Sequence, residues 1–327
     1  MIRSTAPLTA VLAISTLTAP ARAQETEGVA TIARRISPVE VQSTASRVLP
    51  LALGLQALQS DVDGRAHLRL LSGPAGGVQG IGVWGGPKGA ILDFDEAGFD
   101  GRFLSGAIGI DFDIDTNWVV GFRLGYDDTN LDTAIGGLSG GLDSRSLSLA
   151  FYAAWRPLDN WVIDGFVGVA RSEFDFRNGG VSGEVNTDRF TTGLGAGAIY
   201  EIGPFAVSPR LQVAIGVDSA VDFPDSAGVE VTNDLATYVE ASAGGAVSYP
   251  TSLGALSLSP WLSAEIVGTD DEAGSASLVG DTVHGRFAAG LRTRHGALAI
   301  DLEGRAAGFG TRDFNDYQGI LRLSVTF

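Results

Sequence analysis

FLSGAIGIDFDI, residues Phe103–Ile114, puts Leu104, Ile108, Ile110, Phe112 and Ile114 on one side of an extended chain and Ser105, Gly109, Asp111 and Asp113 on the other. A period of two marks a strand with one apolar and one polar face, whereas a helix would repeat its apolar positions every three or four residues. The next segment obeys the same rule, with Trp118, Val120, Phe122, Leu124 and Tyr126 opposed to Arg123, Gly125 and Asp127. Twelve such runs follow one another, starting near Gly80, Arg102, Asn117, Ser144, Asn160, Thr187, Phe205, Leu235, Ala255, Thr282, Ala297 and Asp316. Each is about ten residues long, the length that lets a tilted strand cross the hydrocarbon core of a bilayer.

The connections separate a soluble sandwich from a membrane barrel. Every second one is short: DTN at 115–117, PLDN at 157–160, IGP at 202–204, YPTSLG at 249–254 and HG at 295–296. The others, at 88–101, 127–143, 171–186, 218–234, 268–281 and 307–315, read as long loops rich in Gly, Asp, Ser and Asn. Short turns on one side, long loops on the other and an even strand number are the pattern of an outer-membrane barrel. The fold class expected is therefore all-β, a 12-stranded antiparallel transmembrane β-barrel whose apolar face meets lipid. Its polar face, lining the lumen, carries Arg123, Asp164, Arg210, Glu240, Glu265, Arg286, Arg292, Asp301, Glu303, Arg305 and Arg322.

The first residues agree with this destination. Arg3 gives a positive start, residues 6–20 are apolar but too short to span a bilayer, and Ala21-Arg22-Ala23 is an A-x-A site, so residues 1–23 read as a signal peptide. Its removal takes away Arg3 and Arg22 and makes the formal charge of −16 more negative by two, which argues against a nucleic-acid backbone as partner. With no cysteine in the chain, disulfide and thiol chemistry are closed. Glycine is abundant, 45 residues, but without the period of three of collagen. No later stretch approaches the roughly 18 apolar residues of a transmembrane helix.

Between the signal peptide and the barrel, Ser37-Pro38-Val39-Glu40 is a capping box with Pro at the first helical position. Leu51, Leu55 and Leu58 share one helical face, and Pro50 is expected to kink or divide the helix. A barrel of twelve strands leaves room for one helix, so residues 37–62 are expected inside the lumen. The organisation expected is a signal peptide at 1–23, a short segment and linker helix at 24–78, and a barrel at 79–327.

Two resemblances follow. The last strand ends LRLSVTF, and Tyr317, Leu321, Leu323, Val325 and a terminal Phe327 look like the signal read by the outer-membrane assembly machinery. The helix leading into the first strand, followed by LQALQSDVDGRAHLRLLSG at 55–73, resembles the linker of autotransporter translocator domains. That resemblance implies a helix left in the pore after export, loops on the cell surface, and a monomer in the outer membrane of a Gram-negative bacterium after Sec-dependent export. It also implies outer-membrane lipids, periplasmic chaperones and the assembly machinery as partners. Only tens of residues lie between Gln24 and the barrel, so the passenger is expected to be vestigial or absent. The competing expectation is a porin-like channel for small solutes, its lumen charges selecting what passes.

Chemistry-bearing motifs are weak. His67, His284 and His295 are scattered, so no catalytic site is expected. Asp111, Asp113 and Asp115 imitate the start of a calcium loop, but Thr116 and Phe122 stand where Gly and Glu are needed. GLGAGA at 193–198 lies within a strand run and opens no helix, and its small residues are read as leaving lumen space for the helix. Acidic loop residues such as Asp218, Asp222, Asp225 and Glu230 are read as solvated rather than as a cation site. No metal and no cofactor are expected.

Overall fold

The computed structural model describes residues 47–62, 80–94, 99–135, 138–219, 221–231, 235–273, 282–310 and 315–327, all within one compact unit, Ile36–Phe327. Twelve strands form the wall: β1 Ile81–Phe94, β2 Phe99–Asp113, β3 Trp118–Ile135, β4 Leu138–Leu158, β5 Trp161–Asn178, β6 Val181–Ala198, β7 Phe205–Asp218, β8 Ala236–Ser248, β9 Leu256–Ala273, β10 Thr282–His295, β11 Leu298–Phe309 and β12 Asn315–Thr326. Each pairs antiparallel with its neighbours in sequence. β1 also pairs with β12, from Gly82↔Thr326 to Asp93↔Asn315. The sheet is thus a closed barrel without the open edges that hydrocarbon would leave unpaired. The expected signal peptide and the capping box at 37–40 lie outside the described residues.

Ile81 and Phe327 share one end, joined by a hydrogen bond from Phe327 N to Ile81 O of 2.9 Å, and the five short turns lie at this turn end. The far end departs from expectation. Segments 127–143 and 171–186, read from composition as loops, are mostly strand, because β3 to β6 run on for 18 to 21 residues. Gly179 and Gly180, with φ of 55° and 88°, close the β5–β6 hairpin in a two-residue turn that needs both residues at positive φ. Strands this long exceed what the hydrocarbon requires, so the hairpins rise out of the bilayer.

The side chains show where the bilayer stops. Along most of the wall the outward face is apolar, with Leu104, Ile108, Phe122, Leu147 and Val169 exposed, and the inward face is polar or small. Towards the hairpin end the polarity inverts while the alternation keeps its phase. Arg102, Asp132, Arg145, Glu173, Asp175 and Glu184 now point outward, and Phe99, Phe103, Leu131, Leu142, Phe174, Phe176 and Val185 are buried inside. Outside a bilayer water wets the exterior, so the hydrophobic effect drives apolar side chains inward again. Phe174 and Phe176 stack with ring centroids 5.9 Å apart, and Phe223 stacks on Phe176 at 6.2 Å. Phe223 belongs to a small hairpin, Phe223–Pro224 paired with Glu230–Val231, which folds over this end. It is tied to β6 by Ser226 N to Ser182 O, 2.8 Å, and Ser182 N to Ser226 Oγ, 3.0 Å.

A helix, α1, spans residues 47–62 without a break at Pro50. α1 is buried on every side. Leu49, Leu53 and Ala57 join the apolar core of the hairpin end, while Leu51, Leu55, Leu58 and Val62 pack on Trp84, Ala107, Tyr152, Phe166 and Tyr238 from around the wall. Among the described residues no helix is long and apolar enough to cross a membrane; α1 lies within the barrel.

Candidate functional site

The lumen and its helix form a site that the fold assembles from distant parts of the chain. At the start of α1, Arg47 Nη1 donates to Ser219 O at the hairpin end of β7, 3.0 Å. One turn on, Arg189 of β6 donates Nη1 to Pro50 O at 3.1 Å while its other nitrogens grip Asp218 of β7 at 3.0 and 2.9 Å. Leu51 packs where Gly216 leaves the wall bare, since a Cβ there would lie 2.5 Å from Leu51 Cδ1. In mid-helix Gln56 donates to Glu240 at 3.0 Å and accepts from Gln318 at 3.4 Å. At the other end Asp61 meets Arg123 at 2.7 Å and Arg322 at 3.9 Å, and Arg322 also donates to the Ser60 carbonyl at 3.2 Å and to its hydroxyl. α1 therefore runs from the hairpin end towards the turn end.

The eleven inner-face charges named from the sequence sort into four groups. Arg123 reaches the helix through Asp61. Arg286 bridges Glu240 at 2.8 Å and Glu265 at 3.3 Å. Arg322 joins Asp301 and Glu303 at 3.2 and 3.1 Å; Arg305 meets Glu303 at 2.7 Å and Arg292 meets Asp301 at 3.5 Å. Arg210 pairs with Asp164 at 2.8 Å. Buried ions are tolerated when paired and hydrogen-bonded. The effect here is to fix α1 by charge at both ends and by amides in its middle.

Asp111 and Asp115 are lumen and turn acids rather than a calcium loop, and the acidic-loop and GLGAGA readings are revised. Asp111 is fully buried and accepts from Trp84 Nε1 at 3.1 Å and from the Tyr152 hydroxyl. Asp115 instead caps its turn, accepting from Asn117 N and Trp118 N at 2.6 and 2.9 Å. Asp218 and Asp225 are not solvated loop acids. The first holds Arg189, and the second is buried and accepts from Ala227 N and Val229 N, both at 2.9 Å. The glycines of GLGAGA make room for wall side chains rather than for the helix: a Cβ on Gly193 would lie 2.4 Å from the Phe166 ring, and one on Gly195 2.4 Å from Arg210 Nη2. His284 is buried in β10 and His295 exposed at a turn; His67 lies outside the described residues. Among the described residues no three His, Asp or Glu side chains are grouped to hold a metal ion.

The Arg189–Asp218 pair, the Trp84–Asp111–Tyr152 cluster and the helix partners Gln56, Ser60 and Asp61 were not read from sequence. The signal for the first existed, because Arg189 continues the inner-face phase of β6.

Comparison with known proteins places this architecture. The autotransporter beta-domain model matches residues 78–307. The β domain of the Bordetella autotransporter BrkA is similar at 18% identity and a TM-score of 0.63, over 76% of this chain and 100% of that one. The translocator domain of NalP from Neisseria meningitidis is similar at 17% and 0.63, over 89% and 100%. The transport unit of AIDA-I from Escherichia coli follows at 13% and 0.59, over 81% and 98%. At these identities the likeness to solved structures is one of fold. No curated protein matches by sequence. The match across most of the barrel is what carries the assignment: the chain belongs to the autotransporter beta-domain family and is an outer-membrane β-barrel of translocator type.

Proposed function

We propose that the barrel carries the chain preceding residue 47 across the outer membrane and then keeps α1 as the plug. The observation that supports this most is the direction of the helix. Arg47 bonds to Ser219 at the hairpin end, and in outer-membrane barrels the short turns face the periplasm, so the chain before residue 47 leaves on the cell-surface side. On this reading residues 1–23 are a signal peptide, 24–78 the exported segment with its linker, and 79–327 the barrel. The porin-like alternative fits less well, because the eleven inner-face charges named from the sequence are tied to one another or to α1. The barrel works as a monomeric conduit and no catalytic residue is assigned to it. A cysteine at Ala30→Cys is expected to react with a membrane-impermeant maleimide on intact cells, while His295→Cys, at the turn end, reacts only after the membrane is opened. The reverse pattern would show that the segment stays in the periplasm.

The terminal strand is read as the assembly signal, with Tyr317, Leu321, Leu323, Val325 and Phe327 presented to the assembly machinery after delivery by periplasmic chaperones. Exposure of Tyr317, Leu323 and Phe327 supports it. Deleting Phe327, whose folded-state contacts are few at 77% exposure, is expected to reduce the amount of heat-modifiable barrel in outer membranes while leaving refolding of the purified chain in detergent intact. Normal amounts in the membrane would remove the signal reading.

A further inference from the structure

On the outward face of β4 to β7 the wall is dished into a groove of about 630 Å³, floored by Leu147, Leu149, Val169 and Phe190 and flanked by Leu235. It exists because β7 stops at Asp218 and the chain rejoins the wall only at Ala236. In between, the Phe223 hairpin turns over the mouth instead of continuing the outer face. The volume falls within the range of small-molecule sites.

The upper rim lies where the outward face changes from apolar to charged. Leu147 is in register with Arg171, and Arg171 with Asp188, so the two charges are cross-strand neighbours, each two residues beyond an outward apolar side chain, Val169 and Phe190. That is head-group depth in the outer leaflet. The other outward arginines of these hairpins, Arg145 and Arg177, are paired with Asp128 at 3.7 Å and Asp143 at 2.6 Å. Arg171 is exposed and forms no ion pair among the described residues. Asp188 is fixed through its backbone, its N–H donating to Ser219 Oγ and its carbonyl accepting from Ser219 N, both 2.9 Å, which leaves the carboxylate at the rim.

We propose that this groove holds an acyl chain of a phosphorylated outer-leaflet glycolipid of the lipid A type, its phosphate on Arg171 and its sugar hydroxyls on Asp188. A guanidinium takes phosphate through paired, charge-assisted hydrogen bonds. A carboxylate beside it repels a bare phosphate but accepts from the hydroxyls that a phosphorylated sugar carries. An anionic glycerophospholipid offers the phosphate without the sugar and satisfies half of the rim. This inference rests on the outer-membrane location and is independent of what the barrel exports.

The test is native mass spectrometry of the full-length refolded chain in detergent. The ligands are lipid A, dephosphorylated lipid A and phosphatidic acid, whose phosphate carries no hydroxyl-bearing head group; the variants are Arg171→Gln, Val169→Trp, which fills the groove, and Arg102→Gln, an exposed arginine elsewhere on the outer face. Lipid A is expected to bind wild type and Arg102→Gln alike. Affinity is expected to fall about tenfold or more in Arg171→Gln, in Val169→Trp and for either substitute lipid. Should Val169→Trp not give a heat-modifiable barrel, Arg171→Gln decides alone. Undiminished binding to Arg171→Gln, an equal loss in Arg102→Gln, or equal binding of phosphatidic acid would overturn the proposal.

Discussion

Replacing Asp218 with Ala is expected to destabilise the folded barrel by about 3–5 kcal/mol, the range found when one member of a buried ion pair is removed. Its partner Arg189 is 3% exposed and Asp218 0%, and two hydrogen bonds of 3.0 and 2.9 Å join them. Without the carboxylate, the guanidinium keeps one hydrogen bond, to the Pro50 carbonyl of α1, and the attraction of the buried Asp127 nearby. Urea unfolding of the refolded chain in lipid vesicles measures the loss. The double change Arg189→Met with Asp218→Leu is expected to regain most of it, because the pair's own desolvation nearly cancels its attraction. A loss under about 1 kcal/mol for the single change would be that of a surface pair and would mean that water already reaches Arg189.

Arg at Val213 is the second large effect. Val213 lies mid-way along β7, points outward and is 41% exposed, so Val213→Arg is expected to cost about 2–4 kcal/mol, as for an arginine at the bilayer midplane. Val120→Arg, two residues from the turn end of β3, is expected to cost about 0–1 kcal/mol because the interface is near. The same vesicle unfolding experiment ranks them, and equal costs would contradict the depth assigned to β3 and β7. At Gly125, on the lumen face, a Cβ would lie 2.2 Å from Arg123 Nη1, so Gly125→Arg is expected to displace Arg123 from Asp61.

The strand count, the closed barrel and most of the short turns were legible because lipid outside and polar side chains inside impose a strict period of two. The hairpin extensions were not. RSEFDFRNGG, 171–180, looks like a loop by composition, and its two phenylalanines fall in the phase of Asp164, which inside the bilayer is the polar one. The alternation was present with its sign reversed, and the reversal is itself the mark of the membrane boundary. At the site, phase alone could name which charges share a face, since that depends only on counting along a strand. Their partners depend on register and on the helix. Asp61 meets Arg123 across 62 positions and Gln56 meets Gln318 across 262, which no local pattern encodes.

The account turns on α1 lying within a closed barrel, and a pair of cysteines tests that most directly in a chain that has none of its own. Gln56→Cys with Gln318→Cys replaces side chains whose polar atoms are 3.4 Å apart. In purified outer membranes a short, membrane-permeant bis-maleimide, adding one thiol to each ring, is expected to join the two within one chain, giving a faster-migrating species after heating, and Gln56→Cys alone should resist a bulky membrane-impermeant maleimide until the barrel is unfolded. Free labelling of Gln56→Cys in the folded barrel, with no cross-link to Gln318→Cys or to Glu240→Cys, would place the helix outside the lumen and contradict the account.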